Sequence, residues 1–209
     1  MLTDAALIVA GYLLGSLPWG YWLPLWLRHI DIRTVGSGNV GASNVARELG
    51  VRYGIVVALL DILKGVAAAL LGTYLGGEVV GVLAGTAALV GHWRPLFLGF
   101  GRGGKVVAVT GGVALALVPI AAVGALGVWL IVFLTTRYAS VASLAAAVAL
   151  PLFAWAADAG WPELAFAGGA GFAIVALHRG NVQRLLRGEE RRAEGSLRAR
   201  LRGRHEASA

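Results

Sequence analysis

Cysteine is absent from this 209-residue chain, which excludes a disulfide framework and any thiolate metal site. Charge is scarce too: only 14% of residues are Asp, Glu, Lys or Arg, against about a quarter in a soluble domain. A soluble fold of this length has too little interior to hide 58% hydrophobic residues at a mean hydropathy of +0.75. Basic residues are missing from Met1 to Asp4, the apolar run Ala5–Leu27 is too long for a signal core, and no small-residue cleavage site follows it. The N-terminus therefore reads as a first spanning helix. Lipid is the solvent this composition fits, and the fold class it implies is an all-α, polytopic membrane protein.

What is present fills in that outline. A spanning helix needs about 20 mostly apolar residues. Such stretches run over Ala5–Leu27, Tyr53–Leu75, Glu78–Leu98, Val106–Leu117, Pro119–Thr135, Val141–Ala157 and Trp161–Leu177. The fourth is short, so the count is seven, or six if that segment does not cross. The 31 glycines suit close helix contact, because small residues let backbones approach where no hydrophobic drive operates between helices. Of the 18 basic residues, all but Lys64 fall in alternate connectors: Arg28 to Arg52, Arg94 to Lys105, Arg137, and the run from Arg179 to Arg204. The opposite connectors hold Asp4, Glu78, Asp158 and Glu163 with no Lys or Arg. Positive charge stays in the cytoplasm during insertion, which predicts the N-terminus outside and the C-terminus inside. The Arg-rich tail from Arg187 reads as a solvated, disordered segment drawn to anionic headgroups at about 1 kcal/mol per basic residue. It carries no nucleic-acid motif.

Polar side chains collect in three stretches on the basic face. Gly36 to Arg47 alternates glycine with Ser37, Asn39, Ser43 and Asn44. Glycines let several N–H groups converge on an oxyanion, and Arg47 adds a fixed charge suited to phosphate. An interhelical turn is the plainer reading, but a turn needs only two or three such residues. Gly91-His92 stand near the end of the third apolar run and Gly103-Gly104-Lys105 follow it, where Gly-Gly-Lys ahead of a helix can cradle an anion or anchor the chain at the surface. It lacks the spacer and Ser/Thr of a P-loop. The third stretch, His178 to Glu190, spaces His178 and Asn181 to share a helical face. Asp61 and Lys64, three apart within a spanning segment, form either a structural ion pair or the floor of an anion site. Tyr138, Trp19, Trp22 and Trp26 fit an interfacial belt, and Ser143 is a further candidate for lining a site.

In order and spacing these stretches resemble the bacterial acyl-phosphate:glycerol-3-phosphate acyltransferase family over nearly the whole chain. The likeness runs from Gly15-Ser16-Leu17-Pro18-Trp19-Gly20 through Asp31-Ile32-Arg33, Leu60-Asp61-Ile62-Leu63-Lys64-Gly65 and Thr136-Arg137-Tyr138 to Asn181 and Glu190. The resemblance implies a seven-helix enzyme of the bacterial inner membrane. It would move a fatty acyl group from long-chain acyl phosphate to glycerol 3-phosphate without metal, cofactor or acyl carrier. On this reading residues 1–186 are a single membrane-integral acyltransferase domain and 187–209 its basic tail. The family's catalytic positions carry over to Ser37, Arg47, Lys105, His178 and Asn181, with Asn39, Asn44, Lys64, His92, Ser143 and Glu190 as substrate-binding candidates.

The chain departs from the family pattern at Arg94, where an aromatic residue is expected, and around Gly101-Arg102, where one residue is added. Val106 stands in place of glycine, Leu177 in place of Arg, and Gly180 in place of an acid. A small anion or phosphate-ester transporter, and a divergent member with altered substrate, are the competing readings. Transporters place binding groups near the midplane on broken helices, whereas here only Asp61 and Lys64 lie that deep.

Overall fold

Backbone polar groups in lipid have no water to bond, so apolar segments close their own hydrogen bonds as helices. A computed structural model describes residues 1–193, and every regular element among them is helical. The first apolar run is divided into α1 (Leu2–Gly15) and α2 (Trp19–Arg28), because Pro18 has no N–H to continue the ladder. Then come α3 (Ala42–Leu49), α4 (Val51–Gly76), α5 (Glu78–Trp93), α6 (Val107–Leu117), α7 (Pro119–Thr136), α8 (Ala139–Ala156), α9 (Trp161–Leu177) and α10 (Arg179–Leu186).

Beyond the division of the first apolar run, expected as one helix, the structure differs from the sequence expectation in two further places, before α4 and after α5. The helix expected over Glu78–Leu98 stops at Trp93, since the residue before Pro95 is pushed into an extended conformation; a single 3-10 turn over Leu96–Leu98 follows. The polar stretch expected as one loop to Arg47 becomes helical at Ala42, which puts Arg47 on the regular helix α3. Of the apolar helices, α1 with α2, α4, α7 and α8 are long enough to cross a bilayer. The shorter ones are α5 with 16 residues, α9 with 17 and α6 with 11.

Large apolar side chains point outward: Leu63, Ile131, Leu152 and Phe172 are each more than 60% exposed, which suits lipid rather than water. The interior is built from small residues. Gly11 and Gly15 of α1 meet Ala84 and Ala88 of α5 so closely that any Cβ would overlap those carbonyls. A main core, mostly Ala and Val, joins α4, α5, α6, α7, α8 and α9. A second, formed by Ile32, Val40, Val45 and Val57, sits under the polar loop before α3 and holds it against α4. Of the basic tail, residues 187–193 are described and fold back onto the protein. Ala193 N donates to the Arg137 carbonyl at 2.7 Å, and the Arg192 guanidinium donates to Tyr138 at 3.0 Å. The remainder of the tail lies outside the described residues.

Candidate active site

The loop before α3 is shaped from within. Gly36 and Gly38 take left-handed φ values of 61° and 67°. Asn44 sits beneath them, 2% exposed; its Oδ1 accepts from Ser37 N at 2.9 Å, and its Nδ2 donates to the Ile32 and Val35 carbonyls. Asn44, a candidate for touching substrate, is thus fully used as a peg for the loop. The Ser37 side chain is left exposed at the crest. Asn39 has a double task. Its Oδ1 accepts from Gly41 N, and its Nδ2 donates to the Gly103 carbonyl at 3.2 Å, tying the first polar loop to the second.

That second loop carries Lys105 to the third stretch. Lys105 Nζ donates to Asn181 Oδ1, and Asn181 Nδ2 donates to Glu190 Oε1 at 2.6 Å. Arg184 Nε completes the chain by donating to Glu190 Oε2 at 2.8 Å. Burial pushes the Lys105 ammonium down to about 8, and the neighbouring Arg184, Arg47 and Arg102 push the same way against Glu190. Burial alone would raise the Glu190 carboxyl, but Ser140, Asn181 and Arg184 beside it hold it low. Burial likewise lowers the Arg47 guanidinium, with Glu190 opposing. Arg47 donates to the Arg191 carbonyl at 3.3 Å, so residues 188–193 cross the site as a strap from α10 past α3 to the α7–α8 connector.

His178 lies between α9 and α10, 4% exposed. Its Nδ1 is 2.8 Å from the Ile174 carbonyl; a carbonyl only accepts, so Nδ1 holds the proton and Nε2 offers a lone pair. Burial, with Lys105 nearby, pushes this imidazole down to about 4. Ser143 donates to the Ala139 carbonyl and accepts from Trp129 Nε1 at 3.2 Å, which spends it on packing α8 against α7. Lys64 and His92 lie deeper, paired with each other at 2.8 Å beneath the Gly-Gly-Lys loop.

Ten of the eleven expected site residues line a single cavity of about 2380 Å³, Lys64 being the exception. Its mouth is polar; its inner end is an apolar cleft walled by Ala114 of α6, Ala125 and Trp129 of α7, and Ala147 and Leu150 of α8. Arg184 was not among the sequence candidates, although its i+3 spacing from Asn181 places it on the same helical face. Several cations against one carboxylate, beside an apolar wall, have the chemistry to hold an anion that carries a hydrocarbon chain.

Comparison with known proteins agrees with that geometry. The family model described as glycerol-3-phosphate acyltransferase matches residues 5–188. The chain is 46% identical over 192 residues to the glycerol-3-phosphate acyltransferase of Synechococcus sp. (strain JA-2-3B'a(2-13)), covering 92% of this chain and 96% of that one. It is 43% identical over 188 residues to that of Aquifex aeolicus, covering 89% and 97%. The crystal structure of PlsY (YgiH), an integral membrane glycerol 3-phosphate acyltransferase, in its glycerol 3-phosphate form superposes with a TM-score of 0.88 at 41% identity. That match covers 94% of this chain and 98% of the crystallised one. The lysophosphatidic acid form of the same protein gives a TM-score of 0.85. Sequence, fold and neighbours converge: this chain belongs to the glycerol-3-phosphate acyltransferase family.

Proposed function

We propose that this multi-pass membrane enzyme acylates glycerol 3-phosphate using a long-chain acyl phosphate as donor. The observation that carries the reading is the crowd of Arg47, Arg102, Lys105 and Arg184 with Glu190 as their counter-charge, set at the mouth of an apolar cleft. Two phosphates brought together repay the cost of holding those cations side by side. Lys105 and Arg47 neutralise the phosphates, while Ser37 and Asn181 orient them. The acyl chain lies in the cleft between α6, α7 and α8.

An acyl phosphate is already activated, so positioning supplies most of the catalysis, up to about 7–11 kcal/mol. The glycerol hydroxyl attacks the acyl carbon, an ester C–O bond forms, the mixed-anhydride C–O bond breaks, and inorganic phosphate leaves. The hydroxyl proton passes to a substrate phosphate. His178 Nε2 has the lone pair for that task, but an imidazole pushed down to about 4 is a poor base at neutral pH. The one-sided basic connectors support seven crossings of the bacterial inner membrane with the N-terminus outside and the three polar stretches at the cytoplasmic face.

Purified protein in detergent, given acyl phosphate and glycerol 3-phosphate, should release phosphate and form lysophosphatidate. Ser37→Ala and Lys105→Ala should each abolish this with the fold retained. Proteoliposomes that accumulate a phosphate ester without acyl transfer would replace the enzyme with a permease.

A further inference from the structure

Beneath the Gly103-Gly104-Lys105 loop lies a buried ionic cluster that the chemistry above leaves unused. Lys64 Nζ is 2.8 Å from Asp61 Oδ1, 2.8 Å from His92 Nδ1 and 2.9 Å from the Leu17 carbonyl. Asp61, Lys64 and His92 are all more than nine-tenths buried. An ammonium carries only N–H donors and no acceptor, so each group it meets must accept from it or face it as a counter-charge. A carboxylate and a carbonyl can only accept. The imidazole nitrogen facing the same ammonium must therefore accept as well, which leaves Nδ1 bare and puts the proton of the neutral ring on Nε2.

The protonated end is aimed at the loop. A Cβ on Gly104 would overlap His92 Nε2, so only glycine lets the ring come this close to the backbone. The loop is fastened to the same place: Gly104 N donates to the His92 carbonyl and Gly103 N to the Trp93 carbonyl, each at 3.0 Å. Asn39 holds the Gly103 carbonyl from the other side. His92 also lines the cavity that contains Ser37, Lys105 and Asn181. The Leu17 carbonyl, where α1 gives way to α2, accepts from Lys64 as well as from Trp19 N, so the helix break belongs to the same assembly.

We infer that Asp61 and Lys64 are positioning residues that lock His92 in its Nε2–H tautomer, and that His92 presents this neutral donor beside Lys105 to a bound phosphate. The inference rests on the proposed reading of the Lys105 loop as a phosphate site. A neutral donor adds direction without adding another positive charge among Arg47, Arg102, Lys105 and Arg184. His178 is built the opposite way, with its proton on Nδ1.

Protein labelled with 15N-histidine in detergent separates the two tautomers by long-range 1H–15N correlation, with His92 assigned by the signals lost in His92→Gln. The expected spectrum shows His92 protonated on Nε2 and bare on Nδ1, and Lys64→Met removes that preference. In kinetics His92→Phe should lower kcat/KM by about 10- to 100-fold, and His92→Gln, which keeps an N–H near the same place, by clearly less. Combining Lys64→Met with His92→Phe should cost no more than the worse single change. A wild-type His92 protonated on Nδ1 overturns the relay whether or not the variants fold, and so does a His92→Phe enzyme of undiminished activity. Failure to make lysophosphatidate leaves the tautomer signal in place and sinks only the proposed reaction.

Discussion

Val106 sits at the N-cap of α6 with φ 58° and ψ 0°, 2% exposed, directly after Lys105. A β-branched residue in left-handed backbone is an outlier, held there at a cost of about 1–3 kcal/mol. Truncation separates that strain from packing. Val106→Ala deletes two buried methyl groups at about 0.5–1.5 kcal/mol each, while the remaining Cβ keeps a clash of about 1–2 kcal/mol. A further step from Ala to Gly loses one more carbon and about 0.5–1 kcal/mol of backbone entropy, but it abolishes the clash. These effects nearly cancel, so Val106→Ala and Val106→Gly should unfold within about 1 kcal/mol of each other. The same Ala-to-Gly step at Ala114, fully buried in the body of α6, has no clash to relieve and should cost about 1–2.5 kcal/mol. Thermal unfolding in detergent, followed through the seven tryptophans, reads the difference as a gap of a few degrees. Equal losses at the two positions would refute a left-handed Val106.

Other measurements test the site directly. Because Lys105 is pushed down to about 8 while its unfolded value is 10.5, the charged form is lost as pH rises through 8. The kcat/KM should therefore fall above about pH 8, and the residual activity of Lys105→Arg should lose that alkaline limb. Glu190→Gln removes the charge that holds Asn181 and Arg184, and should lower kcat/KM by about 10- to 100-fold with a reduced Tm. Gly104→Ala forces a Cβ onto His92 and should lose more than about 100-fold in kcat with helical circular dichroism unchanged. Asn39→Ala separates the two polar loops and should appear mainly as a raised KM for glycerol 3-phosphate.

Much of this molecule is visible in its sequence because lipid imposes harsh rules. Apolar length marked each long helix, and the one-sided arginines marked which connectors belong together. Gathering of Ser37, Arg47, Lys105, His178 and Asn181 around one cavity followed from placing three polar stretches on one face. What each side chain does there was less legible, because a short polar residue has the same appearance whether it faces outward or inward. Asn44 faces inward and braces the loop; Ser143 is spent on a tryptophan of α7; Asn39 joins two loops that are 64 residues apart in the chain. The strap over residues 188–193 was hidden for another reason. Arginine-rich composition reads as solvated tail. Beside the side-chain contacts of Glu190 and Arg192, the strap is held through backbone carbonyls of Arg137 and Arg191 and the backbone N–H of Ala193, which no side-chain pattern reveals.

The glycine groove of α1 has a bearing on biogenesis. Its partner α5 begins at Glu78, well after α1 ends at Gly15, so at about 5–20 residues per second the ribosome needs several seconds to supply it. During that interval the first helix stands in the membrane with an unfilled notch along one side. Assembly of the bundle thus waits on a late-arriving segment, and a nascent chain released before α5 emerges carries an open small-residue seam.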